Sequence, residues 1–337
     1  MRVVRLHGPR DLRLHDEPDP IPEPDEELIR VTTVGLCGSD RHWFLDGAIG
    51  GATVVGPLVL GHEIAGVIAA GPRRGTRVAV DPADPCERCD TCRSGRSNLC
   101  PSTRFAGHGA VDGGLRTLMA WPGRLLTPIP DSIGDAEAAL LEPLGVAIHA
   151  WDLGKVQAGM AVGVFGCGPI GLLLIRLLRA RGSGPIVAVE PLAHRRSAAL
   201  DAGATVTLDP AADVPPVDVA FEVSGEDDAV AAAMEAIRPG GRIVLVGIPS
   251  PDRTSFPASV ARRKGLTLLL ARRMAATALD RAAELAGSGT VALAGLVSER
   301  HPLEDVTAAF AALAERRATK IVVDVTAGGP VRPHEIV

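Results

Sequence analysis

The chain has no long apolar run. Stretches such as "GLLLI" fall far short of the ~20 residues a membrane helix needs, which excludes a transmembrane helix. It has no excess of positive charge either: the formal net charge is -5 and no block of five or more like charges occurs. Nucleic acid and anionic membranes are therefore not expected partners, and a small molecule is. The opening "MRVVRLHGPRDLRLHDE" holds no apolar core of the kind a secretory signal requires, so a cytoplasmic protein is expected. Lysine is scarce, 3 residues against 32 arginines, but the arginines are dispersed and the bias carries no functional weight.

What is present is size and pattern. A chain of 337 residues with 46% hydrophobic content can bury one or two cores, and two domains are the working count. Only six cysteines occur, and four of them, Cys86, Cys89, Cys92 and Cys100, fall in "CERCDTCRSGRSNLC". In a reducing compartment such clustering reads as a metal or redox site before a disulfide. The spacing C-x2-C-x2-C-x7-C with turn-forming spacers lets one loop place four thiolates around a single ion. An iron–sulfur cluster is the rival, but its third gap is normally x3, so zinc is expected. Four thiolates leave no open coordination position, and the ion would serve structure.

Chemistry must then lie elsewhere. Cys37 stands in "GLCGSDRHW", and His62 with Glu63 follows in "VLGHEIAG". Each alone suits a core thiol or a hydrogen-bonded histidine, but together they make an incomplete zinc set, which is the composition of a catalytic site.

From "AVGVFGCGPIGLLLIRLLRARG" a strand, a glycine turn and an apolar helix are read. Gly166, Gly168 and Gly171 fit G-x-G-x-x-G around Pro169 and Ile170, which brings backbone close to a pyrophosphate at a helix N-terminus. Glu190 lies twenty-four residues after Gly166, near the expected ~20, and a carboxylate there favours NAD. Arg195 and Arg196 keep NADP open. Six strand-like runs between "AVGVF" and "LTLLLARR" suit a doubly wound α/β sheet. Cys167 reads as a small residue packed under the cofactor.

The chain resembles the zinc-dependent medium-chain alcohol dehydrogenase family, most closely its sorbitol/polyol branch, through "GLCGSDRHW", "GHEIAG", the cysteine lobe, "LLEPLGVAIHA", "GCGPIG" and "IRPGGRIVLVG". The resemblance implies a GroES-like, mostly β catalytic domain formed by 1–149 and 276–337, with a Rossmann domain inserted at 150–275. It implies two zinc ions per chain and NAD. Cys37, His62 and Glu63 would hold the catalytic zinc, with Glu142 as a further candidate; which glutamate ligates directly stays open. Asp40 would orient the histidine, and Ser39 and His42 would relay the alcohol proton. Trp43, Phe105, His108 and Arg272 match substrate-pocket positions. The implied activity is oxidation of a secondary alcohol of polyol, sugar or cyclitol type by a homodimer or homotetramer. The alternatives are L-threonine or aldose oxidation, a zinc-free quinone or enone reductase, and a non-catalytic homologue. The tail "TAGGPVRPHEIV" is expected to be mobile.

Overall fold

A computed structural model describes residues 1–250 and 252–326; positions 327–337 of the polar tail lie outside the described residues. Between 162 and 270, short β-branched runs alternate with Ala- and Leu-rich segments, and the runs assemble into a six-stranded parallel sheet. Strands Val162–Phe165 and Ile186–Val189 are buried at every position. That is what a parallel strand covered on both faces requires, and it explains why the two read as unbroken apolar runs.

The first of these strands in sequence, Val162–Phe165, lies in the middle of the sheet, flanked by Ile186–Val189 and Val217–Glu222. The chain leaves it to build one side and returns to build the other. At such a switch point the connections diverge and a crevice opens beyond the carboxyl ends of the strands.

Seven more strands form a second sheet around Glu26–Gly35. Strand Glu63–Ile68 pairs antiparallel with it on one side, and the late strand Ile321–Asp324 does so on the other. The register sets Gly35 opposite both Glu63 and Val322. Residues more than 250 positions apart therefore converge at the end of one strand, where Cys37 follows.

Helix Leu141–Gly154 joins the two sheets. It carries Leu141, Leu144, Ala147 and Ile148 into the core and packs on helices Pro169–Ala180 and Ala278–Gly287. The four-cysteine lobe is a loop with a short α-helix, Asp90–Arg93, and a single 3-10 turn, Ser97–Leu99, and holds almost no apolar core of its own. Buried Asn98 ties it to the body: its Nδ2 donates to the Arg272 carbonyl at 3.0 Å and meets His149 Nε2 at 3.4 Å.

Candidate active site

Cys37 sits at the N-cap of helix Gly38–Asp46, directly after the central strand, and His62 and Glu63 begin the neighbouring strand. The ligand atoms of the three all lie within 4.8 Å of one another. This is the open set read from the sequence. Strand register brings it together, because Gly35 opposes Glu63. Gly35 also makes room, since a Cβ there would stand 2.0 Å from Glu63 Oε2.

Behind the set lies Asp40, fully buried. Its Oδ2 accepts from Cys37 N at 2.9 Å, and its Oδ1 accepts from Gly61 N at 3.3 Å and lies 3.6 Å from His62 Nδ1. Burial alone would depress the His62 pKa. The Asp40 carboxylate and, after it, the Cys37 sulfur together outweigh burial and raise that pKa well above the ordinary value. An imidazole backed by a carboxylate has its second nitrogen fixed and presents the first as a ligand.

Glu142, buried in the first turn of its helix, stays outside the three-ligand set but within electrostatic reach of His62 and Glu63. Burial pushes its carboxyl up to about 8, with Glu63 adding to the shift. A nearby cation would reverse that preference. Ser39 and His42 both border the adjoining cleft, and His42 Nδ1 lies 3.3 Å from Asp46 Oδ2.

Aromatic and imidazole rings pack behind His62. Phe105 lies 5.6 Å from the His62 ring, and His108 stands edge-on to buried Trp43 at 5.1 Å. Burial first, and Arg273 next, pull the His108 pKa down. At one residue the structure differs from the sequence reading. The Arg272 side chain is exposed, and Arg273 instead sits over the Phe105 ring at 4.8 Å. The reason is backbone: Arg273 adopts φ 57, which turns its side chain inward while Asn98 holds the Arg272 carbonyl. Adjacent arginines are indistinguishable to a pattern reading.

In the lobe the sulfurs of Cys86, Cys89, Cys92 and Cys100 lie within 4.8 Å of one another, and no disulfide joins them. The separations are 3.5 Å for Cys89–Cys92, 3.9 Å for Cys89–Cys100 and 3.5 Å for Cys86–Cys100. A tetrahedron with Zn–S bonds of ~2.3 Å has edges of about 3.8 Å, so the four sulfurs are spaced for one zinc. The Cys86 N–H directed at Cys100 Sγ, first among several donors, lowers that thiol to about 6, whereas desolvation pushes Cys92 up to about 12.

Cys37 and Glu63 of the set line a cleft of about 770 Å³ that the glycine turn of the parallel sheet also lines. Helix Pro169–Ala180 starts there with Gly168 at its N-cap and proline at its first position. Gly171 lets the helix press on the turn: a Cβ would stand 2.1 Å from the Gly166 carbonyl oxygen. A Cβ on Gly168 would meet only Arg195 Nη1, at 3.8 Å, so its surface faces open space where a phosphate can lie against backbone. Pro169 and Ile170 line the same wall. Glu190, buried, accepts from Cys167 N at 2.8 Å and Leu192 N at 3.0 Å, each carboxylate oxygen keeping a further lone pair. Cys167 is fully buried and its thiol is pushed up to about 12 by desolvation, which makes it inert packing.

Residues 23–131 match the family model of the alcohol dehydrogenase GroES-like domain, and residues 169–288 match that of the zinc-binding dehydrogenase. Sorbitol dehydrogenase of Bacillus subtilis (strain 168) is 34% identical over 326 residues, which is 90% of this chain and 91% of that protein. The chain belongs to the zinc-dependent medium-chain alcohol dehydrogenase family. Solved structures agree. L-idonate 5-dehydrogenase from Escherichia coli is 27% identical with a TM-score of 0.86, covering 96% of this chain and 98% of that one. A zinc-binding dehydrogenase of Sinorhizobium meliloti 1021 bound to NADP is 28% identical with a TM-score of 0.88, covering 96% and 99%.

One residue of this dehydrogenase escaped the sequence reading. Lys320 is 2% exposed, and its Nζ donates to the Leu36 carbonyl at 3.0 Å and pairs with Glu63 Oε2. The available signal was a rare lysine placed directly before the apolar strand "IVVD". Removing one partner of a buried pair leaves the other charge uncompensated. Lys320→Met is therefore expected to lower the unfolding free energy by about 3–5 kcal/mol, read by urea denaturation of the metal-free protein. An unchanged denaturation midpoint would show that Glu63 and Lys320 do not depend on each other.

Proposed function

We propose that this dehydrogenase oxidises a secondary alcohol of polyol, sugar or cyclitol type to its ketone, passing hydride to a nicotinamide dinucleotide. The observation that carries the reading is the position of the three-donor set, whose Cys37 and Glu63 line the same cleft as the glycine turn, while the lobe's four thiolates form a separate closed set. The division into a catalytic part, 1–149 with 276–337, and a cofactor part, 150–275, rests on the same two walls.

The donor sets fit zinc in number, softness and spacing. Bound at the open set, zinc would acidify the substrate hydroxyl, and the nicotinamide would accept the hydride. The chain's own residues do the rest. Cys37 Sγ and His62 would hold the ion, and Asp40 fixes the imidazole. Glu63 and Glu142 are the candidates for the remaining carboxylate role; Glu63 is already paired with Lys320, and burial of Glu142 beside the set favours a ligand whose charge an ion would neutralise. Ser39 Oγ takes the alcohol proton and His42 passes it to solvent, a role suited to an imidazole.

Glu190 supports NAD over NADP, because its carboxylate faces the expected ribose position and repels a phosphate. Arg196, which could offset that repulsion, is spent on the carbonyls of Glu190 and Pro191, each at 2.7 Å. Arg195 lies beside Gly168 and reaches the Ala318 carbonyl at 3.4 Å, which suits the pyrophosphate end of the cofactor. Initial rates are expected to give kcat/KM for NAD at least about tenfold above NADP, the worth of one repelled charge at about 1.4 kcal/mol. A preference for NADP would remove Glu190 from the cofactor contacts.

The reading extends to a cytoplasmic homodimer or homotetramer, as the family resemblance implies; among the described residues no helix is long and apolar enough to cross a membrane. The deciding experiment is NAD reduction by the zinc-loaded protein against polyols, sugars, cyclitols, sugar acids, L-threonine and simple alcohols. Turnover of at least one polyol-type substrate is expected; threonine or aldose turnover alone would assign the same machinery to a different alcohol, and no turnover would sink the reading.

A further inference from the structure

Arg273 is unusual on several independent counts. Its backbone occupies the left-handed region at φ 57, a conformation that costs a non-glycine residue free energy and persists where the surroundings enforce it. Its guanidinium lies on Phe105, and Phe105 in turn packs on His62 of the open metal set. Nη1 is buried without a hydrogen-bond partner, and the side chain forms no ion pair among the described residues. The neighbouring charge is another cation, Arg272, and desolvation draws the Arg273 pKa down to about 10. A partly desolvated guanidinium with none of its five donors committed is a costly group to leave alone.

We propose that Arg273 is the specificity determinant of the substrate pocket and that it recognises an anionic group, a carboxylate or a phosphate, on the end of the polyol remote from the reacting carbinol. The inference rests on the functional reading above and narrows its substrate class. Phe105 holds the planar guanidinium by a cation–π contact, which leaves the fork edge for bidentate recognition of an anion. His108, kept toward the neutral state by burial and by Arg273, adds a donor or acceptor for a hydroxyl between the two ends. The nearest protein anions do not answer the charge. Asp81 is occupied with the Ala83 amide, and its carboxyl is raised to about 6 by burial; Cys100 belongs to the lobe's four thiolates.

The test uses the full-length, zinc-loaded protein with sorbitol, gluconate and sorbitol 6-phosphate as neutral, carboxylate and phosphate arms. Gluconate or the phosphate is expected to exceed sorbitol in kcat/KM by about 10- to 100-fold, the worth of a charge-assisted hydrogen bond of about 1.5–3 kcal/mol. In Arg273→Met that ratio is expected to collapse toward one through KM, with partial recovery in Arg273→Lys, and whichever anion shows the gain names the source. Calorimetric titration of wild type and Arg273→Met with gluconate and with the phosphate reads the same contact without turnover. Arg273-dependent binding with no oxidation of any arm would keep the anion site and sink the oxidoreductase reading. Oxidation of sorbitol as efficient as that of both anions would sink the anion site and keep the oxidoreductase. Loss of the lobe's zinc from Arg273→Met with an unchanged substrate ratio would instead make Arg273 a counter-charge to the four thiolates and overturn the proposal.

Discussion

Cys37→Ser is expected to retain one zinc per chain instead of two and to lose at least about a thousandfold in kcat/KM, with the far-UV circular dichroism of the wild type. The magnitude follows from the several kcal/mol that a Lewis acid contributes to stabilising a developing alkoxide, at about 1.4 kcal/mol per tenfold. The direction follows from geometry. Cys37 is the sole soft donor of the open set, and serine is a poor zinc ligand at neutral pH. Its backbone N–H still donates to Asp40 after the substitution, so the helix start survives and the loss is chemical. Elemental analysis with steady-state rates decides the matter. A variant with one zinc and full activity would move the chemistry away from this site.

Cys89→Ser strikes the other centre, with the opposite signature. Cys89 Sγ is within 3.9 Å of two other lobe sulfurs, so its removal opens the tetrahedron. The lobe has little apolar packing to replace the ion, and binding of a structural zinc is worth of order 10 kcal/mol. Against a domain's total stability of about 5–15 kcal/mol, that is enough to unfold the lobe and lower the melting temperature by about 10 °C or more. Asn98 would then release the Arg272 carbonyl and His149, loosening the segment that carries Arg273. Activity at low temperature is expected to fall through KM more than kcat, since the open set lies outside the lobe. Calorimetry and zinc content read both effects. A melting temperature within about 2 °C of wild type would show that the lobe is dispensable.

Much of this molecule is legible in its sequence. The six strands of the parallel sheet, its glycine turn and the two groups of metal-binding side chains are local patterns: buried parallel strands read as apolar runs, and a lobe without a core must use closely spaced ligands. Lys320 and Arg273 were not legible, for two different physical reasons. Lys320 meets Glu63 only because Ile321–Asp324 and Glu63–Ile68 pair with the same strand, 257 positions apart in sequence. Arg273 and Arg272 are neighbours of identical chemistry; Arg273 alone takes a left-handed backbone angle, and it is the one that lies over Phe105.

Residue type and spacing therefore point to the kinds of site in this protein: a four-cysteine set spaced for a closed zinc, an open Cys–His–Glu set, and a dinucleotide turn. The four-cysteine lobe and the turn follow from residue type and spacing within short segments, whereas the open set, with Cys37 25 positions before His62, is read from its residue types and the family resemblance. Tertiary packing alone settles that Cys37 and Glu63 face the same cleft as the turn, that Glu63 is held by a buried lysine, and that an uncommitted arginine stands over Phe105. Each of these depends on strand register and backbone handedness, which are set by packing across distant parts of the chain and leave no periodic trace in the sequence.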